Sequence, residues 1–453
     1  RLPLLAGGSR DLPVRQRTLR DTIAWSYDLL TDRERALFAR LSIFAGGFTL
    51  GAAEAVNAGE FGDTFEGVAS LVNKSLLRPM ETTAEDPRFT MLETIREYAA
   101  DQLAGAGHAE EVERRHADHF LALAEQAEPE LTGSRPARFL DALAADHDNL
   151  RTALDRAVAR GWVDVALRLG AALWRFWQMR GHLREGRERL AGILALPGVD
   201  GHPAALTRAL GAAGSVAYWM GDFAAAQAPY ERALDLSRET GDPGAIAESL
   251  YNLSFIFIFQ KNYERARALL EEAAAMFEQA GNRGGRAKTL WALVGFSFMS
   301  EGVGEDEAAA MAMALEALEI FREVGDRLHE GWALWEIGHS ARRLGRIDEA
   351  RARLAEGLEI FRDAGDVSAI VLFLGSFAEL AAFEGDVERA LRLAGAAAAA
   401  GASTETGTEK WGGGIEERRM VDRYATDPDA ARLWAEGQAM SLDEAVAYAL
   451  RAS

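Results

Sequence analysis

The chain has 453 residues, with 50 lysines and arginines against 70 aspartates and glutamates, a formal net charge of −20. Its 49% hydrophobic and 26% charged content is that of a folded chain, and excludes disorder as the general state. No cysteine occurs, which excludes disulfides, thiolate metal sites and a cysteine nucleophile. The acidic balance argues against broad non-specific nucleic-acid binding. No apolar run reaches the ~20 residues that span a bilayer, and no signal pattern opens the sequence. A cytoplasmic chain without membrane contact is expected. Length alone suggests about three folding units or one elongated array. The sequence begins at Arg1 and already reads as mid-domain, so a part of something longer is expected.

In chain order, apolar residues first recur at helical spacing, as in Ile23, Tyr27 and Leu30. Thr18 or Asp21 is placed to cap that helix. Thr31 with Glu34 has capping-box spacing for the next, and Thr49 and Asp63 can start two more. Leu76–Met80 and Arg88–Leu92 then read as a hairpin around a polar Glu81–Pro87 stretch. Helices followed by a two-stranded wing is a winged-helix order. Beyond Leu92 the pattern is helical, with breaks at Gly105–Gly107, Pro129–Pro136, Gly161 and Gly181.

A repeat then sets the architecture. Turn pairs recur at Gly221-Asp222, Lys261-Asn262, Gly345-Arg346 and Gly385-Asp386, with a displaced one near Gly304–Asp306. An interleaved set falls at Gly241-Asp242, Gly281-Asn282, Gly325-Asp326 and Gly365-Asp366. Within each unit an apolar residue (Leu183, Phe223, Tyr263, Ile347, Val387) precedes a small one by three (Gly186, Ala226, Ala266, Ala350, Ala390). Small residues on one stripe let paired helices approach closely, which predicts an α-solenoid. The fold class expected is mainly α: a winged-helix domain over residues 1–103, a helical connector over 104–160, tetratricopeptide-like repeats over 161–400 and a C-terminal helical cap over 401–453.

These positions resemble the tetratricopeptide pattern: Phe223, Ala226, Tyr230 and Ala233 in a second helix, and Leu210, Ala213, Gly214 or Leu334, Ile337, Gly338 in first helices. The spacing exceeds the usual ~34 residues, so longer helices are expected. The N-terminal part resembles the winged-helix segment of NB-ARC-type (STAND) signal-transduction ATPases, many bacterial members of which regulate transcription. The residues that carry this are Leu12–Arg20, Ile23–Leu30, Phe44-Ala45-Gly46-Gly47-Phe48, Leu71–Leu77, Met91–Ala99 and Asp148–Leu154. The tail, Trp434–Gly437 to Ser441–Val446, also resembles these regulators.

The resemblance implies a nucleotide-binding domain, then the winged helix, then a repeat sensor, often with a LuxR-type, SARP-type or adenylate cyclase output. Here no Gly-x-x-x-x-Gly-Lys-Ser/Thr occurs, and none of Lys74, Lys261, Lys288 and Lys410 follows a glycine. A phosphate-cradling loop with its lysine is therefore missing from this sequence. No enzyme activity and no cofactor are expected of this segment, and ATP or ADP would sit on an upstream domain, its expected partner.

Four candidate sites follow. The helix before the wing carries Asp63, Glu66 and Lys74, a net −1, so direct nucleic-acid binding by this segment is not expected. Arg15 and Arg17 either contact the upstream nucleotide domain or lie in a solvated linker. His116 and His119 stand three apart, but with no evident third ligand no metal site is expected. The fourth candidate is the inner face of the repeats. Counting back from each turn places Arg168, Arg175, Tyr218, Trp219, Tyr251, Phe255, Phe259, Trp291, Phe298, Trp332, Trp335, His339, Arg342, Arg343 and Phe383 there. Aromatic and arginine surfaces offer stacking and cation–π contact, so a groove for an effector, protein or peptide centred on Tyr251, Trp291, Trp335 and Arg342 is expected. The competing reading is that the rings are buried between repeats, leaving a pure interaction scaffold.

Overall fold

The computed structural model describes residues 14–57, 63–81, 86–299, 307–407 and 427–451. The chain forms two compact units, Arg1–Leu123 with Ala144–Arg160, and Ala124–Leu143 with Gly161–Ser453. The connector expected at 104–160 is therefore not a body of its own: its ends belong to the first unit and its middle to the second.

The first unit opens with α1 (Val14–Asp28), α2 (Asp32–Leu41), α3 (Leu50–Asn57) and α4 (Thr64–Asn73). Because α1 starts at Val14, Thr18 and Asp21 lie within it and do not cap it. Thr31 does cap α2: its hydroxyl accepts the Glu34 N–H while the Glu34 carboxylate accepts the Thr31 N–H, so two orphan donors are satisfied. Asp63 caps α4 through the amides of Phe65 and Glu66, and Thr49 accepts the Ala52 N–H at the start of α3. Strands β1 (Phe48–Thr49), β2 (Arg78–Met80) and β3 (Arg88–Thr90) form an antiparallel sheet in the order β1-β3-β2. The hairpin was legible; the two-residue strand β1 was too short to show. Next come α5 (Glu93–Gly105), α6 (Ala109–Glu130), α7 (Pro136–Ala145) and α8 (His147–Arg160). Phe38, Phe48, Phe120, Leu41, Leu71 and Leu77 are sealed in this core, each contributing about 1.5–3 kcal/mol of apolar burial.

The second unit stacks helix pairs: α9 (Val163–Met179) with α10 (Leu183–Leu194), α11 (Pro203–Trp219) with α12 (Phe223–Thr240), and α13 (Pro243–Phe259) with α14 (Tyr263–Gln279). The series continues with α15 (Arg283–Met299) and α16 (Glu307–Val324), α17 (Arg327–Arg343) and α18 (Ile347–Ala364), and α19 (Val367–Glu384) and α20 (Val387–Thr404). Helices α21 (Pro428–Gln438) and α22 (Leu442–Leu450) close over α20.

The recurring Gly-Asp pair serves two purposes. Its glycine turns left-handed at the end of one helix, as at Gly221, Gly241 and Gly365 with φ of 71°, 73° and 71°. Its aspartate then caps the next: Asp222, Asp242, Asp326, Asp366 and Asp386 each accept a backbone N–H two or three residues on. Lys261 adopts the same left-handed conformation, φ 59°, with a side chain. The displaced turn near Gly304–Asp306 lies outside the described residues.

The small stripe acts by contact. Ala226, Ala266, Ala350 and Ala390 are fully buried, and a Cβ on Gly214 would come 2.5 Å from the Tyr230 ring. The helices run 17 and 18 residues in α11 and α12, as the long repeat spacing implies. Among the described residues α19 is the one helix long and apolar enough to cross a membrane. It packs against α9, α17, α18 and α20 inside the array.

Candidate functional site

The odd-numbered helices α9 to α19 touch one another in series, so they form the inner layer of the array, as the repeat pattern requires. The array also returns on itself, because α9 meets α19. Gln178 near the end of α9 donates from Nε2 to Asp366 Oδ1 at 3.0 Å. The Ser368 hydroxyl donates to the Gln178 carbonyl at 2.9 Å and contacts the Thr406 hydroxyl at 3.0 Å. The chain after α20 crosses the ends of the first helices: Gly407 N–H donates to the Trp219 carbonyl at 3.0 Å, and Glu405 pairs with Arg184.

This closure changes the expected groove. The rings lie on inner helices but turn against each other. Trp219 of α11 contacts Trp332 of α17, three pairs further on, with centroids 6.0 Å apart. Trp219, Tyr251, Trp332 and His339 are buried, while Tyr218, Phe255, Phe259, Trp291, Trp335 and Arg342 are half-buried. Trp335 Nε1 donates to the Ser376 hydroxyl at 2.8 Å, and His339 Nε2 lies 3.0 Å from the same oxygen. Trp291 Nε1 donates to the Trp332 carbonyl at 3.3 Å. An open aromatic trough is therefore not what the array presents: apolar burial draws rings together once curvature brings α11 to α17.

Other positions counted to this face are taken up by ion pairs or exposed. Arg343 is exposed and forms a two-pronged pair with Glu307 of α16 at 2.7 and 2.8 Å. Arg168 pairs with Glu125 and Asp164, and Phe383 is exposed at the end of α19. The side chains of Phe298, Arg15 and Arg17 lie outside the described residues.

What the sequence reading missed is a set of charges beside the rings. Lys288 of α15 holds the Glu248 carboxylate at 3.0 Å and lies over the Tyr251 ring at 5.5 Å. His329 sits 2.8 Å from Asp326 and 6.2 Å from the Trp291 ring. Burial works to raise the Glu248 pKa, but Lys288, His329 and Arg175 outweigh it and hold it below the usual carboxylate range. Glu248 nevertheless keeps 46% of its side-chain surface accessible. Charge closing in from several helices, with surface still open, marks a polar interior space and not a dry core.

Arg175 of α9 faces this space. Burial lowers its pKa, opposed by Asp366, Asp326, Tyr251 and Glu248. Asp366 has no exposed surface and its Oδ2 has no hydrogen-bond partner. Burial pushes its carboxyl up to about 6, against the pull of the Ala369 amide, Arg175 and Gln178. The rarity of lysine was the one sequence signal that could have singled out Lys288; Asp326 and Asp366 read only as turn residues.

In the winged-helix unit, two stretches that carried the family resemblance meet. Asn149 is fully buried; its Nδ2 donates to the Gly47 carbonyl at 2.7 Å and to Asp146 at 2.9 Å, and its Oδ1 accepts the Ala45 N–H at 2.8 Å. Arg88 on the wing grips Asp146 at 2.7 and 3.0 Å. Lys74 at the end of α4 pairs with Glu34. His116 is sealed between Phe44 and Phe120 with both ring nitrogens unpartnered. Burial, helped by Arg156, drops its pKa to about 3. Among the described residues no group of three or more His, Cys, Asp or Glu is placed to hold a metal ion.

Comparison with known proteins agrees with this organisation. A winged helix-turn-helix domain family matches residues 30–104, and a tetratricopeptide repeat family matches residues 206–279. The chain is 32% identical over 455 residues to a Mycobacterium tuberculosis protein named as a candidate HTH-type transcriptional regulator, and equally to its Mycobacterium bovis counterpart. The alignment covers 94% of this chain and 48% of each of those proteins, so the chain spans about half the length of the curated relatives it matches. Among solved structures, a signal transduction ATPase with numerous domains and a tetratricopeptide repeat sensor, from Pyrococcus horikoshii, aligns with a TM-score of 0.53 at 17% identity. That alignment covers 95% of this chain and 61% of the other, and shows a shared fold.

Proposed function

We propose that this chain is the winged-helix and sensor portion of a longer cytoplasmic transcriptional regulator, in which an upstream NB-ARC-like domain holds ATP or ADP. The regulatory role draws support from the 32% identity to candidate transcriptional regulators about twice its length. The nucleotide switch draws on the motif resemblance of the first unit. The chain's own sequence contains no P-loop, so nucleotide chemistry is assigned upstream. Trp25 and Leu29 of α1, large apolar side chains exposed at 66% and 60%, suit the docking of that domain.

The observation that carries the sensor reading is the closure of α9 on α19 by side-chain hydrogen bonds around a polar, aromatic interior. Such a contact has two states, closed and parted. An effector or peptide that engages Arg175, Tyr251, Trp291, Trp335 and Arg342 only when the array is parted would shift the balance by its differential affinity. The test is Gln178→Ala with Ser368→Ala in the full-length regulator, which leaves the Asp366 cap in place. Each lost bond is worth about 1 kcal/mol, so together they move the closed–parted equilibrium on the order of tenfold or more. Reporter output without effector should rise; unchanged output, while hydrogen exchange shows the α19 start exposed, overturns the reading.

The contact of Trp219 with Trp332 favours a second reading, a scaffold whose interior never admits a guest and whose partners bind outside. A crosslink holding residues 178 and 368 together separates them. It abolishes effector response in the first reading and leaves partner binding intact in the second.

A further inference from the structure

A cavity of about 370 Å³ lies in the repeat unit. One wall is Leu131 to Arg138, the link between α6 and α7 with the first residues of α7, and the opposite wall comes from α17 and α18. Its floor is apolar and firmly held: Leu131, Met179 and Phe361 have no exposed surface, and Leu328 and Ile360 have 5% and 6%. Thr132 ties the two walls by accepting the Leu328 N–H at 3.4 Å.

The mouth has the opposite character. Arg135, Arg138 and Arg327 border it, with Asp363 the one acid among the lining residues. That acid is already engaged by Arg362 at 2.8 Å, and Arg327 is held by Glu330 at 2.6 Å. Arg135 and Arg138 are both exposed. No carboxylate contacts Arg135 among the described residues. In a chain with 20 more acids than bases, a cationic rim on an apolar well runs against the prevailing charge.

We propose that this cavity is a binding site for an amphipathic anion, a compound with an apolar body and a carboxylate or phosphate head. The volume falls in the range of small-molecule sites, about 300–1,000 Å³. The apolar body would lie on Pro136, Leu328 and Ile360, and the head would meet Arg135 and Arg138, whose planar guanidinium forks match both oxyanions. A ligand so placed would bridge residues 131–138 to α17 and α18. The cavity lining includes none of the residues assigned to the effector, and meets the interior through Phe361, whose ring lies 4.8 Å from that of Trp332.

Calorimetric titration of the 453-residue chain with decanoate, decyl phosphate, decanol and inorganic phosphate tests the assignment. Saturable one-site binding of decanoate, decyl phosphate or both is expected, with neither decanol nor inorganic phosphate binding comparably; whichever acid binds more tightly identifies the head group. Arg135→Glu with Arg138→Glu, both on the surface, should weaken binding at least tenfold. Ala137→Trp, filling the well, should abolish it, with circular dichroism unchanged in each variant. Equal binding of decanol, equal binding of inorganic phosphate, no saturable binding of either acid, or undiminished affinity in the variants would overturn it.

Discussion

Asn149→Ala probes the joint that holds the winged-helix unit together. The substitution removes three hydrogen bonds at once, to the Ala45 amide, the Gly47 carbonyl and the Asp146 carboxylate. Asp146 keeps its pair with Arg88, so the cost falls on two backbone groups at a fully buried site. Each orphaned group costs about 1–3 kcal/mol, giving about 4 kcal/mol together. Little relaxation is available, because Gly46 and Gly47 sit at φ of 75° and 112°, and a Cβ on Gly46 would already lie 3.0 Å from Asp148. For a unit of this size the loss corresponds to a fall in its transition temperature of roughly 10–20 °C. Hydrogen exchange with mass spectrometry on residues 44–48 and 88–90, beside differential scanning calorimetry, reads the effect directly. A variant within about 0.5 kcal/mol of the parent, with the Ala45 amide still protected, would refute the reasoning.

Two further expectations concern stability. His116 has a folded pKa of about 3 against an ordinary value of 6.5. Above pH 6.5 both states are neutral; below it the unfolded chain takes up a proton that the folded one refuses. The winged-helix unit should therefore lose stability as pH falls from 6.5 towards 3, by about 3 kcal/mol at pH 4.5. His116→Phe should flatten this part of a pH series of denaturant melts, and an unaltered slope would count against the assignment. In the repeat unit the raised Asp366 carboxyl acts in the opposite sense to the likewise lowered His339, gaining stability as pH falls through about 6. Lys261→Gly should stabilise the array by about 0.5–1 kcal/mol, since a left-handed non-glycine residue costs about 1–2 kcal/mol and glycine returns part of that as chain entropy. Urea melts of the two proteins decide it.

The parts of the fold that could be read from sequence are those set by local chemistry. A glycine that ends one helix and an aspartate that caps the next leave a periodic trace, and Thr31 with Glu34 announces its capping box at three-residue spacing. Asn149 stood in a recognisable stretch, but its bonds to Ala45 and Gly47 span about a hundred positions and have no periodic signature. The return of α9 to α19 was equally hidden, because it arises from small rotations summed over successive pairs. That sum decides whether Trp219 and Trp332 face a guest or each other. Counting from the turns placed the rings on the inner helices but could not give their surroundings, nor the pairing of Arg168 and Arg343 with Glu125 and Glu307.

A linear stack of helix pairs can fray, because each terminal pair has a neighbour on one side only. Here the first inner helix is clamped to the last, so neither tip can peel away without breaking bonds that also secure the other. Melting then tends toward one all-or-none event in place of stepwise unravelling. A disturbance at Gln178 is felt at Thr406 as directly as at the adjoining pair, which gives the two extremities of the array a shared fate.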